Sequence, residues 1–361
     1  GDEYKRQTGT LDGGTYLGMK YTVVQDSVNA NILDLIAGNL NSAKPVLNGS
    51  QSTAVLNQMF STVQIIRDRM AKMDATAYHG TSLDNKSWVT PFTSWGSQQS
   101  NNNAPSGGYK QNTGGVAIGI DSRLSSDWRT GVAGIIQNTT FGGTNAATAD
   151  RVGVASYQMA GYARYSTQSG QEINLIASVG YDLSNTSRVD QISNQTAKAS
   201  FSGKQAFLSS EYGQKLAFNN HNIKPFVRLD YGYVGFGKYS ETGADTGNLA
   251  VNSQNSSSLV SSVGGKYQFN QTSTSSLLTY FNVGYDYLAK PAQLQAMDAQ
   301  GVSFITTGPN QSNLIYGAGL GYQVDLQSGM KVRFNYDYIG RSGYINNMGS
   351  LNLIIPFDKV K

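Results

Sequence analysis

The chain has 361 residues, of which 14% are charged, with 41 glycines, 22 tyrosines, no cysteine and a net charge of +4. That length allows one large domain or two or three ordinary ones, and the missing thiols exclude disulfides and thiolate metal sites. A small positive balance without any block of lysine or arginine gives no footing for nucleic acid.

There is no charged, apolar and small-residue leader at Gly1 and no run of about 18 apolar residues, so the chain reads as a processed protein or a fragment, without signal peptide or transmembrane helix. Residues 15 to 24 fit a strand. Residues 28 to 40 place Ile32, Leu35, Ile36 and Leu40 at helical spacing and predict a short helix that Pro45 and Gly49 terminate. A second helix follows over 53 to 73, with Ser50 and Ser52 as candidate caps. Its apolar positions are Val55, Leu56, Met59, Phe60, Val63, Ile66, Met70 and Met73, and Arg67, Asp68, Arg69 and Lys72 crowd its last turns. At 1.5 Å per residue it is a rod of about 31 Å, close to the thickness of a bilayer core.

From Trp88 the helical period gives way to about twelve runs of period 2, near 87 to 98, 112 to 123, 128 to 141, 151 to 166, 171 to 185, 203 to 218, 222 to 237, 257 to 269, 276 to 289, 312 to 326, 330 to 340 and 347 to 357. Each run is apolar on one face and polar or glycine on the other. In 331 to 340, for example, Lys331, Arg333, Asn335 and Asp337 alternate with Val332, Phe334, Tyr336 and Tyr338. The joins alternate long and short, a rhythm that an outer-membrane barrel requires and a soluble sandwich does not. Trp88, Trp128, Tyr165, Tyr267, Tyr287 and Tyr338 lie near strand ends, as interfacial girdles do. The expected fold is therefore all-β and transmembrane, an antiparallel up-and-down β-barrel of about twelve strands.

An even strand number brings both barrel ends to the short-turn side, taken as periplasmic, so a chain arriving from outside must pass through the lumen. The helix is thus expected to be threaded through the pore, with Val55, Met59, Phe60, Val63, Ile66, Arg67, Arg69 and Met70 among the threaded residues. The lumen-facing charges would be Asp121, Arg123, Arg129, Arg164, Glu172, Glu211, Lys215, Arg228, Asp230, Asp286, Lys331, Arg333 and Asp337, with Asp182, Lys266 and Asp325 on the same face. They either hold the helix or pair with one another. Inward glycines such as Gly119, Gly131, Gly180 and Gly232 would make room for it or mark ordinary strand bends.

Over about residues 50 to 357 the chain resembles the translocator domain of the monomeric autotransporters of Gram-negative bacteria, the type V secretion system. The resemblance rests on the helix tail IIRDRMAKMD, the first strand WVTPFTSWGSQ and the paired strands in GYKQNTGGVAIGIDSRLSSDWRTGVAGIIQNTTF. It implies a passenger exported to the cell surface, a barrel in outer-membrane lipid, and insertion by the barrel-assembly machinery, which reads a terminal aromatic. Phe357 fits that assembly signal, although Asp358 to Lys361 follow it. The implied organisation is a passenger end or junction over 1 to 49, a linker with the pore helix over 50 to 80 and the barrel over 81 to 361, as a monomer.

Chemistry is sparsely represented. The two histidines, His79 and His221, fit no catalytic constellation, GAGLGY at 317 to 322 sits within a strand rather than before a helix, and no cofactor or metal cluster is indicated. Self-cleavage of a passenger, known in the family, needs paired asparagines in the helix, and the predicted helix has one, Asn57. The expected function is passenger anchoring and export; the alternatives are an outer-membrane diffusion pore or solute channel and, further off, an outer-membrane hydrolase.

Overall fold

The computed structural model describes residues 11–16, 19–25, 33–38, 45–71, 85–100, 107–190, 194–299, 301–326 and 329–356. Leu11–Tyr16, Met19–Gln25 and Leu33–Gly38 form a three-stranded antiparallel sheet. Over Leu33–Gly38 the helix expected at 28 to 40 is therefore corrected to a strand, and the remainder of that expectation lies outside the described residues. Leu33, Leu35 and Ile36 are too few apolar positions to distinguish the two periods, and pairing with Met19–Gln25 decides the matter.

The twelve barrel strands are β1 (Lys86–Gln98), β2 (Tyr109–Arg123), β3 (Trp128–Gly143), β4 (Arg151–Ser166), β5 (Gln171–Val189), β6 (Thr196–Gln214), β7 (His221–Phe236), β8 (Gln254–Asn270), β9 (Ser275–Asp286), β10 (Leu314–Asp325), β11 (Lys331–Arg341) and β12 (Tyr344–Pro356). Each pairs antiparallel with its neighbours in sequence, and β12 closes on β1 from Tyr344↔Gln98 to Pro356↔Lys86. The register line from Lys86 through Asp121, Gly131, Tyr162, Ile176, Ser209, Asp230, Val260 and Asp286 climbs around the barrel. It returns about 14 residues higher, which for twelve strands means a tilt of about 40° and a backbone radius of about 11 Å.

Both barrel termini and the short connections after β2, β4, β6, β8 and β10 share one end. At the other end the connections after β1, β7 and β9 are long, those after β3 and β5 are of intermediate length, and β11 and β12 are joined by Ser342 and Gly343, where the φ of +79° at Gly343 suits a residue without Cβ. The two longest outer connections meet. Tyr239–Ser240, Ala250–Val251, Gln293–Met297 and Ser303–Thr307 pair into a four-stranded rim sheet whose small core is Leu249, Val251, Leu294 and Ala296.

Alternation holds in every strand. Phe334, Tyr336, Val179, Leu208 and Phe281 are exposed on the outer wall, while Arg333, Asp337, Asp121 and Asp182 are buried within. Trp88 departs from its expected place in the girdle. It points into the lumen and is 3% exposed, because its ring lies on Gly119, where a Cβ would come within 2.5 Å, and its Nε1 donates to Tyr162 Oη at 2.8 Å. Trp128, at 39% exposure, is a true belt residue and packs on Tyr165.

The helix α1 (Val46–Ala71) fills the bore. It begins seven residues earlier than the sequence spacing indicates. Pro45 has no N–H to lose at a helix start and accepts the Gly49 amide at 2.9 Å, so it initiates the helix rather than ending the one before. Gly49 is needed for close approach, since a Cβ there would lie 2.9 Å from Thr306 Cγ2 of the rim sheet. This helix is not apolar enough to cross a bilayer against lipid, which suits a helix shielded by a polar wall.

Candidate functional site

The site is the contact between α1 and the inner wall, and all of α1 whose side chains are described is buried or half-buried. Its start lies at the long-loop end and its last turn at the short-turn end. Asn48 Nδ2 donates to Tyr239 Oη at 2.7 Å, Ser50 Oγ to the carbonyl of Gly107 at 2.9 Å, and Gln254 Nε2 to the carbonyl of Gly49 at 2.9 Å.

Neutral polar groups dominate the outer two thirds. Gln51 donates to Ser184 Oγ at 2.6 Å, Ser52 bonds Ser256 at 2.7 Å, Gln111 donates to Gln58 Oε1 at 2.8 Å, Thr62 to Gln137 Oε1 at 2.8 Å, and Asn346 to Ser61 Oγ at 2.7 Å. These bonds satisfy amides and hydroxyls that would otherwise be stranded away from water. The apolar stripe faces β6 to β8. A Cβ on Gly232 would meet Phe60 Cε2 at 2.7 Å and Leu56 and Met59 at 3.0 Å, and Phe60 packs edge-on against Phe207 with centroids 5.2 Å apart.

Full charges hold the inner third. Arg69 makes two bonds to Asp121, at 2.8 and 2.9 Å, and Arg129 reaches the same carboxylate at 3.1 Å. Arg67 Nη2 donates to Asp230 Oδ1 at 2.8 Å, an oxygen that also accepts from Ser209 at 2.6 Å, while Arg228 holds Oδ2 at 2.8 Å. The last carbonyls of a helix have no partner within it. Here the barrel supplies them: Arg164 donates to the carbonyl of Met70 at 2.6 Å and Arg333 to that of Asp68 at 2.5 Å, placing cations at the negative end of the helix dipole.

The expected lumen set is thus largely assembled, in two classes. Asp121, Arg129, Arg164, Asp230, Arg228 and Arg333 touch α1 or the carboxylates that do. The rest pair along the wall: Glu172 with Arg164 and with Lys224 at 2.5 Å, Glu211 with Lys266 at 2.6 Å, Asp286 with Arg341 at 3.3 Å, and Lys331 with Asp325 at 3.0 Å; Asp337 does both, accepting from the Tyr280 hydroxyl at 3.0 Å and meeting the Asp68 carboxyl of α1. Arg123 is buried at the inner end of β2. Lys215 lies just past β6 and is exposed, lining the cavity at the inner mouth together with Arg164 and Lys224. The helix residues Val55, Met59, Val63, Ile66, Arg67, Arg69 and Met70 are buried and Phe60 is half-buried. Phe357 and His79 lie outside the described residues. His221 is on the outer wall at the start of β7, bonded to Tyr267 Oη at 2.7 Å and stacked on Phe269, and has no catalytic partner among the described residues.

Missed by sequence reading were the amide and hydroxyl partners, Gln51, Gln58, Ser61 and Thr62 against Gln111, Gln137, Ser184 and Asn346. One signal was present. The face of α1 opposite its apolar stripe carries Gln, Ser and Thr but no charge before Arg67, which is the pattern of a buried polar face rather than a wetted one.

Little of the bore is open. A cavity of about 80 Å3 remains at the inner mouth beside Ala71, Arg164 and Lys224, and one of about 360 Å3 beside Thr53, Leu56 and Asn57 at the outer end. In the outer rim, Arg188 holds Glu241 at 2.6 and 3.1 Å, tying β5 to the connection after β7, and nearby Asp150 accepts the Val189 amide. Burial pushes the Asp150 carboxyl up to about 6, against the pull of that amide and of Arg188.

A family model described as the autotransporter beta-domain matches residues 87–337. The chain is 25% identical over 241 residues to the extracellular serine protease of Serratia marcescens, 63% of this chain and 22% of that protein. It is 22% identical over 286 residues to outer membrane protein B of Rickettsia prowazekii (strain Madrid E), 75% of this chain and 17% of that protein. The chain therefore spans less than a quarter of the length of either relative. In fold it is similar to the translocator domain of autotransporter NalP from Neisseria meningitidis, with a TM-score of 0.69 at 15% identity, covering 86% of this chain and 99% of that one.

Proposed function

The chain belongs to the autotransporter beta-domain family, whose barrels reside in the outer membrane, and from that premise we propose that it anchors and exports a passenger carried N-terminal to α1. The observation that carries this reading is α1 itself, buried from its start under the outer rim to its last turn at the inner mouth. A chain reaching the outer end of that helix has left the periplasm through the bore. On this reading the passenger end or junction runs to about residue 45 rather than 49, the linker with its helix to about 80, and the barrel beyond. Its partners are outer-membrane lipid, its own passenger and the barrel-assembly machinery.

We read the barrel as a conduit without covalent chemistry. With α1 starting at Val46, Asn48 joins Asn57 as a helical asparagine, both bonded to neighbouring side chains and not adjacent. Processing of the passenger that disappears in N48A/N57A would assign cleavage to them; processing that persists assigns it elsewhere.

Threading is tested by single cysteines at Ser42 and Ala75, either side of α1, in a chain that has no cysteine of its own. Intact cells receive an impermeant thiol label. Labelling at position 42 and not 75 supports export through the bore. Equal labelling at both, or at neither, removes the threaded helix and brings the channel reading forward.

A further inference from the structure

Charge on the lipid side of the barrel is confined to one patch. Among the described residues of the twelve strands, the outward charged side chains are Lys110, Arg151, Lys198 and Lys204, all cations. The other charged strand residues alternate onto the lumen face. Three of the four share one register line: Lys110 opposes Gly142, which opposes Arg151, which opposes Ser187, which opposes Lys198. Neighbouring cations on that line are two strand spacings apart, roughly 10 Å, so their long side chains can converge on groups lying between them.

The patch is ordered along the membrane normal. Ile136, Tyr157, Tyr181 and Lys204 occupy a lower register line at the top of the aliphatic belt. Above it come exposed neutral amides and hydroxyls, Asn112, Thr140, Asn185 and Ser200, and then the cation row. Lys110, Lys198 and Lys204 make no ion pair among the described residues, and Arg151 donates to the carbonyls of Thr148 and Asp150 at 2.6 and 2.7 Å. This is also where the wall is tallest: β5 and β6 have 19 residues each, whereas β11 across the barrel has 11.

Apolar, cationic at an aromatic level, neutral polar, then cationic again is the sequence of chemistries that complements acyl chain, phosphate, sugar and outer phosphate. We propose that the outer ends of β2 to β6 form a binding surface for the phosphorylated glycolipid of the outer leaflet, lipopolysaccharide, with Lys110, Arg151, Lys198 and Lys204 receiving its phosphates. The inference rests on the outer-membrane setting but not on export, so it stands or falls separately from the threading test.

The test uses the full chain folded in detergent and native mass spectrometry with diphosphorylated lipid A, its dephosphorylated form, and phosphatidylglycerol as competitor. K110Q/K198Q/K204Q leaves the loop contacts of Arg151 intact, and heat-modifiable electrophoretic mobility reports folding. The single variants K110Q and K204Q stand in should the triple one fail to fold. The expected result is retention of diphosphorylated lipid A about tenfold or more above both other lipids, with that preference lost in the triple variant and reduced in the single ones. Equal retention by wild type and variants, equal retention of the dephosphorylated form, or full displacement by phosphatidylglycerol would each overturn the proposal.

Discussion

Arg69 of the helix and Asp121 of β2 meet in a two-pronged ion pair, 2.8 and 2.9 Å, with both side chains at most 2% exposed. Arg129 shares the carboxylate, so the two partners are not equivalent. Removing Arg69 leaves Asp121 with Arg129, whereas removing Asp121 takes the shared carboxylate from Arg69 and Arg129 together. Breaking a buried pair from one side costs about 3–5 kcal/mol. D121A is expected at or beyond the upper end of that range and R69A at or below the lower end, in urea unfolding of the protein in lipid vesicles. Equal losses would mean that Arg129 gives no compensation.

Gly232 is the seat of the helix, and any side chain there must displace Phe60, Leu56 or Met59. Overpacking of this kind costs about 1–3 kcal/mol. In G232L the barrel, closed by its own strand pairing, should still form, while α1 is loosened. Limited proteolysis of the folded protein should then cut within 46 to 71 faster than in wild type. Unchanged protection would show that the contact is slack enough to absorb a leucine.

The helix occupies the bore, leaving a cavity of about 80 Å3 at the inner mouth and one of about 360 Å3 at the outer end. Deletion of residues 1–71 should therefore raise single-channel conductance in planar bilayers at least several-fold. A truncated barrel that conducts no better than the full chain would mean that α1 is not the plug.

Asp150 carries a pH signature in the outer rim. Its carboxyl is raised from 3.8 to about 6, so between those values the folded rim binds more protons than the unfolded chain, and stability falls as pH rises through that window. Hydrogen exchange at the Val189 amide, corrected for its intrinsic pH dependence, should slow as pH drops from 7 to 4.5. In D150N that dependence should flatten. A pH response identical in the two proteins would assign it to other groups.

What the sequence determined by itself was whatever depends on period and length. Alternation along Lys331 to Tyr338 fixes which face of β11 meets lipid, because a strand's side chains can go only two ways. The alternation of long and short joins orders strands into a closed wall. A helix as long as a membrane is thick, ending in arginines beside a wall with inward aspartates, is likewise legible without coordinates. Local signals failed where a neighbour outweighed them. Gly49 and Pro45 read as terminators until the rim sheet supplied a surface that only a glycine could approach. Leu33–Gly38 read as helix until a strand paired with it, and Trp88 read as girdle until Gly119 opened a place for its ring in the lumen. Only the tertiary structure decided which acid each arginine meets, that Arg164 and Arg333 complete the helix's last carbonyls, and that Lys110, Arg151 and Lys198 stand on one line. Those relations depend on strand register, tilt and shear, which arise when the first strand closes on the last and are encoded in no single segment.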